Sequence, residues 1–365
     1  MSKTILILVN HENTILHFRK EIIQGLIDEN YRVVASFPKG PKTNEIIDLG
    51  AEHFDTKINR RGINPFDDLK LIIAYRKLIK KYNPLVVLTF TIKPNIYGGI
   101  ASRITKTKYI TNITGLGTAV ENKGLLRLIT TKLYKFALKK SSMIFFQNED
   151  NMRFMLKNKI RGEAYQIIPG SGVNINKFRY MEYPKSDTIN FLFVGRVMKD
   201  KGIDYYLEAA KTIKMRYSNV LFHVLGDYEE NYKSIIEEYQ SKGFINYHGK
   251  VNDVKEYYKI AHAIVHPSFH EGMSNVLLEA AASGRPILAS NIPGCKETFD
   301  EEVSGLAFIV KNQRSLNSTI EKFINLTNRE KITMGENGRE KIVNEFDRNK
   351  IVKIYLDIIE DMEDK

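Results

Sequence analysis

The sequence has very little cysteine and no long apolar run. Cys295 is its one cysteine, so no internal disulfide can form, which is typical of proteins from a reducing compartment. The unbroken apolar runs are far shorter than the ~18 residues that a membrane span needs. No small-residue cleavage site follows the first apolar run, MSKTILILVN, which is therefore interpreted as a β-strand and not as a signal peptide. We predict a cytoplasmic protein that is soluble or lies on a membrane surface.

Several catalytic and cofactor-binding motifs are also missing. The sequence has no H-E-x-x-H, no cysteine cluster, no G-x-S-x-G and no P-loop. The first strand is not followed by the G-x-G-x-x-G loop of dinucleotide-binding proteins, so Rossmann redox chemistry is not expected. No D-x-D follows a strand, and the sequence therefore does not indicate a metal that bridges a diphosphate. Neither a metal nor another cofactor is expected.

The positive charge is concentrated in the first half of the chain. The formal net charge is +12, but residues 1–180 hold 30 Lys and Arg against 14 Asp and Glu, while the remainder is mildly acidic. This asymmetry indicates that one half meets an anionic partner, such as an acidic membrane or a phosphate-bearing substrate, unless it is simply a solvated basic surface. No nucleic-acid-binding module is recognisable, so nucleic acid is not an expected partner.

Short apolar runs alternate with helical segments throughout the chain. The length of 365 residues suits two domains of about 150 to 200 residues. Strands are predicted at 5–9, 31–36, 85–90, 108–113 and 142–147 in the first half and at 190–195, 220–226, 245–249, 263–268 and 285–290 in the second. This βαβ rhythm predicts α/β domains with parallel, doubly wound sheets.

The Pro/Gly-rich stretch after Ile168 separates the two halves. We predict an N-terminal Rossmann-like domain at 1–168, a linker at 169–185, and a C-terminal Rossmann-like domain at 186–345. The C-terminal helix, at about 346–365, is expected to be able to pack back on the first domain. In each domain the ligand is expected at the carboxyl ends of the strands.

The stretch HPSFHEGMSNVLLEAAASGRPILAS, residues 266–290, has the clearest chemical signal. An apolar strand ends at Pro267, a loop of small polar residues follows, and an Ala/Leu-rich helix runs to Gly284. Free N–H groups at the helix start, from Gly272 to Asn275, would form an anion site next to Glu271. Glu279 lies one turn further on the same face, where a carboxylate could accept paired hydroxyls. Alternatively, the two glutamates are a helix-start charge and a half-buried surface residue.

Three further strand ends add polar or glycine residues at the same predicted edge. Gly195 is followed by Arg196, which could grip a phosphate in bidentate fashion, and Lys201 offers a second cation. Gly226 and Gly249 also end strands, although most strand-end glycines serve turns. In the first half, residues predicted at the corresponding edge are Asn10, His11, Lys93, Asn95, Thr114 and Gly115.

Residues 124–142 are predicted to form an amphipathic helix. Leu125, Leu126, Ile129, Leu133, Phe136 and Ala137 recur at helical spacing, and Arg127, Lys132, Lys135, Lys139 and Lys140 lie outside that stripe. This pattern is typical of a helix lying on anionic lipid. A core helix with a basic outer face explains it nearly as well.

Taken together, these motifs resemble the retaining glycosyltransferases of family 4. The resemblance is carried by E-G-x-S-N at 271–275 with seven residues between Glu271 and Glu279, and by G-R-x4-K at 195–201, and it covers essentially the whole chain. It implies the GT-B fold, in which two doubly wound Rossmann-like domains face a central cleft. The N-terminal domain would then lie on the acceptor side, and the C-terminal domain would bind the nucleotide sugar. TIKPNIYGG, NITGLGT and HFR at 17–19 resemble the branch that elongates polyprenyl-diphosphate-linked oligosaccharides in capsule, exopolysaccharide or protein-glycan synthesis.

The resemblance also implies roles for the donor-side residues. Arg196 and Lys201 would hold the donor diphosphate, and Gly272, Met273 and Ser274 would donate backbone N–H groups to it. Glu271 would contact the transferred sugar and Glu279 the ribose. The expected partners are a UDP-linked nucleotide sugar, a polyprenyl-linked acceptor, and an anionic membrane contacted by helix 124–142. These partners would place the protein peripherally on the inner face of the cell membrane.

The first half departs from the family pattern at two places. Many members have a histidine in the loop that here reads NITGLGT, where this chain has Ile113 and Thr114, and the first loop has Asn10, His11 and Glu12 in place of a glycine pair. His11 or Lys93 would have to replace part of either role. A transferase with a soluble acceptor and a non-catalytic nucleotide- or glycan-binding protein are the alternative functions.

Overall fold

The computed structural model describes residues 2–59, 62, 64–116 and 124–364. The chain forms two compact units. The first unit consists of the residues up to Ser171 together with those from Arg348 onward. The second unit consists of the residues from Gly172 to Asp347. Each unit contains one parallel sheet, which confirms the prediction of two doubly wound α/β domains.

The first unit is built on a seven-stranded sheet in the order β3-β2-β1-β4-β5-β6-β7. Its central strands are fully buried, as expected for a parallel sheet that helices cover on both faces. The strands are β1 Thr4–Leu8, β2 Arg32–Phe37, β3 Glu52–Asp55, β4 Val86–Phe90, β5 Lys108–Ile113, β6 Met143–Phe146 and β7 Tyr165–Ile167.

Seven helices in residues up to 171 cover this sheet within the described ranges. They are α1 Glu12–Phe18, α2 Lys20–Asp28, α3 Thr43–Ile47, α4 Pro65–Tyr82, α5 Gly99–Thr105, α6 Leu125–Leu138 and α7 Glu149–Lys157, and a π-helical turn, Pro94–Gly98, leads into α5. Helices α4, α5 and α6 share one hydrophobic core on one face of the sheet. Helices α1, α2 and α3 contribute to the core on the other face.

The second unit is built on a six-stranded parallel sheet in the order β10-β9-β8-β11-β12-β13. Its strands are β8 Ile189–Val194, β9 Val220–Leu225, β10 Asn246–Gly249, β11 Ala263–His266, β12 Ile287–Ser290 and β13 Gly305–Phe308. Its helices are α8 Ile203–Lys214, α9 Lys233–Ser241, α10 Lys255–Ile260, α11 Asn275–Ala282, α12 Gln313–Ile324 and α13 Asn328–Glu345, with 3₁₀ turns at Lys199–Lys201 and Lys296–Thr298. A separate hydrophobic core lies on each face of the sheet.

The C-terminal helix, α14 (Arg348–Glu363), belongs to the first unit. Ile351, Tyr355 and Ile359 recur every four residues and are buried in the core beside α2. The Tyr355 hydroxyl donates to the Asn112 side chain at the end of β5. The helix therefore covers part of one face of the first sheet, although it follows the second unit in the sequence.

Most of the segment predicted as a linker packs on the second unit. The chain passes between the units at Ser171 and Gly172. Beyond that point the Val173 N–H donates to the Phe346 carbonyl at 2.8 Å, and the Tyr183 hydroxyl donates to the His262 carbonyl at 3.0 Å. Residues 172–185 are thus a part of the second unit, held by its hydrogen bonds.

Helix α6 is amphipathic, and most of its predicted apolar stripe does not face the core. Its buried residues are Thr130, Tyr134, Ala137 and Leu138. Of the predicted apolar stripe, Ala137 is buried, Leu133 is half-buried, and Leu125, Leu126, Ile129 and Phe136 are exposed. The alternative interpretation, in which this stripe packs into the core, is therefore not supported, and contact with anionic lipid stays a prediction.

Candidate functional site

The strand, loop and helix expected at 266–284 are present in the second unit. Strand β11 is buried along its whole length and ends at His266. The loop leads to Ser274, and α11 then runs from Asn275 to Ala282. The chain turns at Gly284, whose φ of +76° is a left-handed conformation that glycine adopts without strain. The local sequence therefore places Glu271 between the carboxyl end of a central strand and the start of a helix.

Lys201 and Glu271 form an ion pair in this loop. Lys201 Nζ lies 2.5 Å from Glu271 Oε1, and their side chains are only 19% and 13% exposed. Lys201 comes from the 3₁₀ turn that follows β8. Because β8 and β11 are neighbours in the sheet, the turns after their carboxyl ends meet and bring together two residues that are 70 positions apart.

The carboxyl group of Glu271 stays ionised in this environment. Burial raises its pKa, but the ammonium of Lys201 and the hydrogen bonds from His266 and Lys201 lower it by more, so that the pKa lies well below its ordinary value. A charged carboxylate is a strong acceptor for hydroxyl groups. Both contacts engage Oε1, which leaves Oε2 to accept hydrogen bonds from a ligand.

His266 is part of this cluster, and the sequence prediction missed it. Its Nε2 lies 2.9 Å from Glu271 Oε1 and 3.2 Å from Ser274 Oγ. The other ring nitrogen, Nδ1, is buried without a partner in the described part of the chain. Nε2–H donation to the carboxylate with an unprotonated Nδ1 satisfies this geometry, since a buried N–H at Nδ1 would lack an acceptor. The available signal was its place as the last residue of β11, five positions before Glu271.

The turn that carries Lys201 is pressed against the end of β11. The Phe269 N–H donates to the Asp200 carbonyl at 2.9 Å. Gly202 follows with a φ of +73°, and a Cβ at this position would lie 2.0 Å from the Pro267 carbonyl oxygen. No residue with a side chain fits there without moving the backbone. Gly202 therefore permits the close approach that brings Lys201 to Glu271.

The loop before α11 is held on its other side by Gly294. A Cβ on Gly294 would lie 2.7 Å from the Gly272 carbonyl oxygen and 2.8 Å from that of Glu271. The Ser274 N–H donates to the Gly294 carbonyl at 2.8 Å. The implied donation from Ser274 to a diphosphate therefore needs correction, because its N–H is already used. Met273 is buried, with its side chain in the core below the loop.

The first turn of α11 carries two further predicted donor-side residues. Asn275 begins the helix, and its Oδ1 is buried with no hydrogen-bond partner among the described residues. Glu279 lies one turn later, with its Oε2 3.5 Å from the hydroxyl of the buried Tyr258. Asn275 and Glu279 lie on the same face of α11, as expected, and their ligand roles remain predictions.

Arg196 has a more open setting than Lys201. Its side chain is 55% exposed, and Nη1 lies 3.7 Å from Glu229 Oε1. The preceding residue, Gly195, lies very close to Gly226 at the end of β9, since a Cβ on Gly226 would lie 1.7 Å from the Gly195 carbonyl oxygen. The Gly226 N–H in turn donates to the Gly249 carbonyl at 2.8 Å. These three glycines thus bring the ends of β8, β9 and β10 together.

In the first unit, the predicted acceptor-side residues follow three neighbouring strands. Asn10 and His11 follow β1, Lys93 follows β4, and Thr114 and Gly115 follow β5. His11 caps α1, with its Nδ1 accepting from the Asn13 N–H at 3.1 Å. Thr114 and Gly115 are partly exposed. Residues 117 and 118 of the same loop lie outside the described residues.

Two further predicted residues of the first unit, Lys93 and Asn95, also have structural partners. Lys93 Nζ lies 2.7 Å from Asp68 Oδ1, on α4. Asn95 is 1% exposed, and its Nδ2 donates to the Asn112 carbonyl at 2.8 Å. The prediction that Asn95 contacts an acceptor is not supported by this position, because the side chain is buried and holds the backbone of β5.

Comparison with known protein families assigns both halves of the chain. Residues 4–148 match the model of the "Glycosyl transferase 4-like" domain, and residues 176–341 match "Glycosyl transferases group 1". The chain belongs to the glycosyltransferases. The two matches fall on the two units of the structure, and the second contains Lys201, His266 and Glu271.

Two curated relatives match the glycosyltransferase over most of its length. The N,N'-diacetylbacillosaminyl-diphospho-undecaprenol α-1,3-N-acetylgalactosaminyltransferase of Campylobacter jejuni is 28% identical, with 94% of each chain covered. The UDP-Gal:α-D-GlcNAc-diphosphoundecaprenol α-1,3-galactosyltransferase of Escherichia coli is 27% identical, with 88% of this chain and 87% of the relative covered.

A solved structure shares the fold of the glycosyltransferase over nearly the whole chain. HepE from Anabaena, crystallised with UDP-glucose, superposes with a TM-score of 0.81 at 15% identity, covering 98% of this chain and 99% of HepE. Among the described residues of the glycosyltransferase, no group of three or more His, Cys, Asp or Glu side chains is placed to hold a metal ion.

Proposed function

We propose that this glycosyltransferase moves a hexose or N-acetylhexosamine from a UDP-sugar to a polyprenyl-diphosphate-linked saccharide, with retention of the anomeric configuration and without a metal. The names of the C. jejuni and E. coli relatives both describe transfer to a sugar carried on diphosphoundecaprenol. HepE was crystallised with UDP-glucose. Such an acceptor would place the enzyme in the synthesis of capsule, exopolysaccharide or another surface glycan.

The cluster of Lys201, Glu271 and His266 carries this proposal. Because Glu271 is ionised and uses Oε1 for its protein contacts, Oε2 accepts hydroxyl groups of the transferred sugar. The ammonium group of Lys201 has three N–H donors, and one of them donates to Glu271. The remaining donors bind the diphosphate, so one ammonium group links the sugar-binding carboxylate to the leaving group.

The leaving group is stabilised by charge alone in this proposal. As the bond between the anomeric carbon and the diphosphate breaks, Lys201, Arg196 and the N–H groups at the start of α11 face the growing negative charge. For Arg196 this requires a turn away from Glu229, from which it is now 3.7 Å. The acceptor hydroxyl attacks from the face that the diphosphate leaves and gives its proton to the departing diphosphate oxygen, so the new glycosidic bond retains the configuration.

The exposed surface of α6 is compatible with an acceptor that is carried on a membrane lipid. Leu125, Ile129 and Phe136 are exposed on this helix, and Lys132 and Lys139 lie beside them in the helical repeat. We propose that α6 lies on the inner face of the cell membrane, with its apolar side chains at the acyl boundary. No helix in the described part of the chain is long and apolar enough to cross a bilayer.

Donor binding is tested by thermal shift with UDP, GDP, ADP and a panel of UDP-sugars, first without metal and then with magnesium. A metal-free stabilisation of ~2 to 3 kcal/mol by UDP at ~100 times its dissociation constant is expected. No stabilisation by any nucleotide, with the fold intact, would favour a binding protein of another kind. A shift that needs magnesium would refute the metal-free site.

The acceptor is tested by transfer to synthetic polyprenyl-diphosphate saccharides compared with the same saccharides lacking the lipid. Charge reversal of Lys132, Lys135, Lys139 and Lys140 to Glu is expected to weaken binding to anionic vesicles and to leave hydrolysis of a soluble donor unchanged. Equal transfer to the lipid-free saccharide, together with unchanged vesicle binding, would support a soluble acceptor instead.

A further inference from the structure

Helix α4 of the first unit exposes an apolar stripe that the proposed function does not use. Phe66 is 73% exposed, Leu69 is 54% exposed and Ile73 is 46% exposed. They are spaced by three and four residues, so they lie on one side of the helix. The buried residues of α4, which include Leu71, Tyr75 and Leu78, lie on the opposite side. The stripe is therefore the outer face of a helix that is already fully packed on its inner face.

The outer face of α4 is also strongly basic. Lys70, Arg76, Lys77, Lys80 and Lys81 are all exposed. The two acidic residues of the helix, Asp67 and Asp68, are half-buried in its first turn, and Asp68 is paired with Lys93. The exposed positions of α4 thus combine apolar side chains near its start with cations toward its end.

Helices α4 and α6 belong to the same layer. Both pack on the same face of the first sheet through one core, and α5 contacts each of them. In α6 the exposed residues Leu125, Ile129 and Phe136 also lie opposite the buried ones. Since both helices turn their buried sides to one sheet face, their exposed apolar stripes point outward from one layer. Ile104 of α5 is exposed between them.

We infer that α4 is a second membrane-binding helix, which inserts Phe66, Leu69 and Ile73 at the surface of an anionic phospholipid bilayer. The cations toward its end supply the charge complementarity, because each Lys or Arg near such a surface attracts anionic headgroups. The inference extends the proposed function, which places only α6 on the membrane. Two helices of one layer would fix the orientation of the first unit on the bilayer, whereas a single helix would leave it free to roll.

The test uses the fact that the sequence contains no tryptophan. A single Phe66→Trp substitution places the only tryptophan of the full-length protein on α4, where its fluorescence reports on the surroundings of the helix. Phe136→Trp reports on α6 in the same way. Met215→Trp is the matched control, because Met215 is 75% exposed in the second unit. Each variant is mixed with vesicles of phosphatidylglycerol and phosphatidylcholine in equal parts, and with the same lipids carrying brominated acyl chains.

We expect the emission of Phe66→Trp to shift to the blue and to be quenched by brominated lipid, with the effect weakened by high salt and absent on phosphatidylcholine alone. Met215→Trp should show neither change. If Phe136→Trp inserts while Phe66→Trp stays in water, α6 alone contacts the bilayer and the inference is overturned without harm to the proposed function. If neither reporter inserts, both membrane assignments are wrong.

A second copy of the chain is the other occupant that an apolar face could have. In that case the Phe66→Trp emission would shift to the blue with rising protein concentration in the absence of lipid, and the inference would be overturned. A charge test completes the experiment. Lys77→Glu, Lys80→Glu and Lys81→Glu together should lower vesicle binding by at least about tenfold. The same three-charge reversal at Lys211, Lys233 and Lys242, in the second unit, should leave binding nearly unchanged, and equal losses in both would reject a specific role for α4.

Discussion

Gly202 and Pro267 approach so closely that only a residue without a side chain fits: a Cβ at position 202 would lie 2.0 Å from the Pro267 carbonyl oxygen. Gly202→Ala is therefore expected to displace the turn that carries Lys201. Gly243→Ala is the matched control, because its φ of +71° imposes the same strain while no atom lies within 4 Å.

Both variants should lose about 1 to 2 kcal/mol of unfolding free energy from the left-handed backbone. Gly202→Ala should lose more, and its kcat/KM should fall well below that of Gly243→Ala. Urea unfolding and steady-state kinetics measure the two effects. Equal kinetics in the two variants would show that the contact of Gly202 with Pro267 does not position Lys201.

Lys201→Ala and Glu271→Ala are each expected to abolish most transfer while the protein stays folded. Loss of one electrostatic contact to a developing charge costs about a hundredfold or more in rate. Without Lys201 the pKa of Glu271 should also rise, because burial then acts with less opposition. Lys199→Ala, in the same turn but exposed, is the control and should retain activity. Wild-type rates in either site variant would refute the site.

His266 should act by positioning Glu271 and not by contact with the sugar. His266→Leu removes the hydrogen bond that helps to lower the pKa of Glu271, so the acid limb of the kcat/KM profile should move to higher pH. His266→Gln keeps an N–H donor near the same place and should restore much of the activity. A fall in kcat/KM with no change in the pH profile would indicate a purely structural role.

His223 should make the second unit sensitive to mild acid. Burial, together with smaller effects of the neighbouring His248 and Lys214, lowers the pKa of His223 to about 4. Its ring nitrogens contact His248 and Asn190 at 3.0 Å each. Because the folded-state pKa lies below the ordinary value of 6.5, the unfolded chain binds the proton first, and stability is lost as the pH falls from 6.5 toward 4.

This single group accounts for at most about 3 kcal/mol over that window. His223→Gln should reduce the slope of unfolding free energy against pH between 6.5 and 4.5, even if the variant is less stable at pH 7. Chemical denaturation across this range provides the measurement. An unchanged slope would assign the acid sensitivity to other groups, such as His248 and His262, whose pKa values burial also lowers.

The sequence predicted the central strands and the edge strand β10, but it missed the other three edge strands. Strands β3, β7 and β13 were not expected, and each lies at an edge of its sheet. The residues of β7 are exposed and those of β3 are at most half-buried. Because β3 and β7 bury less surface than a central strand, their sequences need not carry the apolar run on which strand prediction depends. Strand β13 is mostly buried, so this reason does not apply to it.

The sequence predicted only part of the donor site, because some of its contacts join residues that no local pattern connects. The residues Glu271 and Lys201 were found from motif spacing, and their 2.5 Å contact agrees with that pairing. The use of the Ser274 N–H by Gly294 depends on a loop 20 residues away, which no local pattern reveals. His266 ends a buried apolar strand, where a lone histidine has no periodic signal that separates it from a core residue.

The return of α14 to the first unit has a consequence for synthesis of the chain. A protein leaves the ribosome from its N-terminus, and domains generally fold as units in that order. Here the contiguous second unit, Gly172–Asp347, is complete before the ribosome has made Arg348–Glu363. Until then the nascent first unit lacks Ile351, Tyr355 and Ile359 on one face of its sheet. The unit that is translated first is therefore the last to finish folding, and a chain released after Asp347 but before α14 is made would have its second unit whole and its first still incomplete.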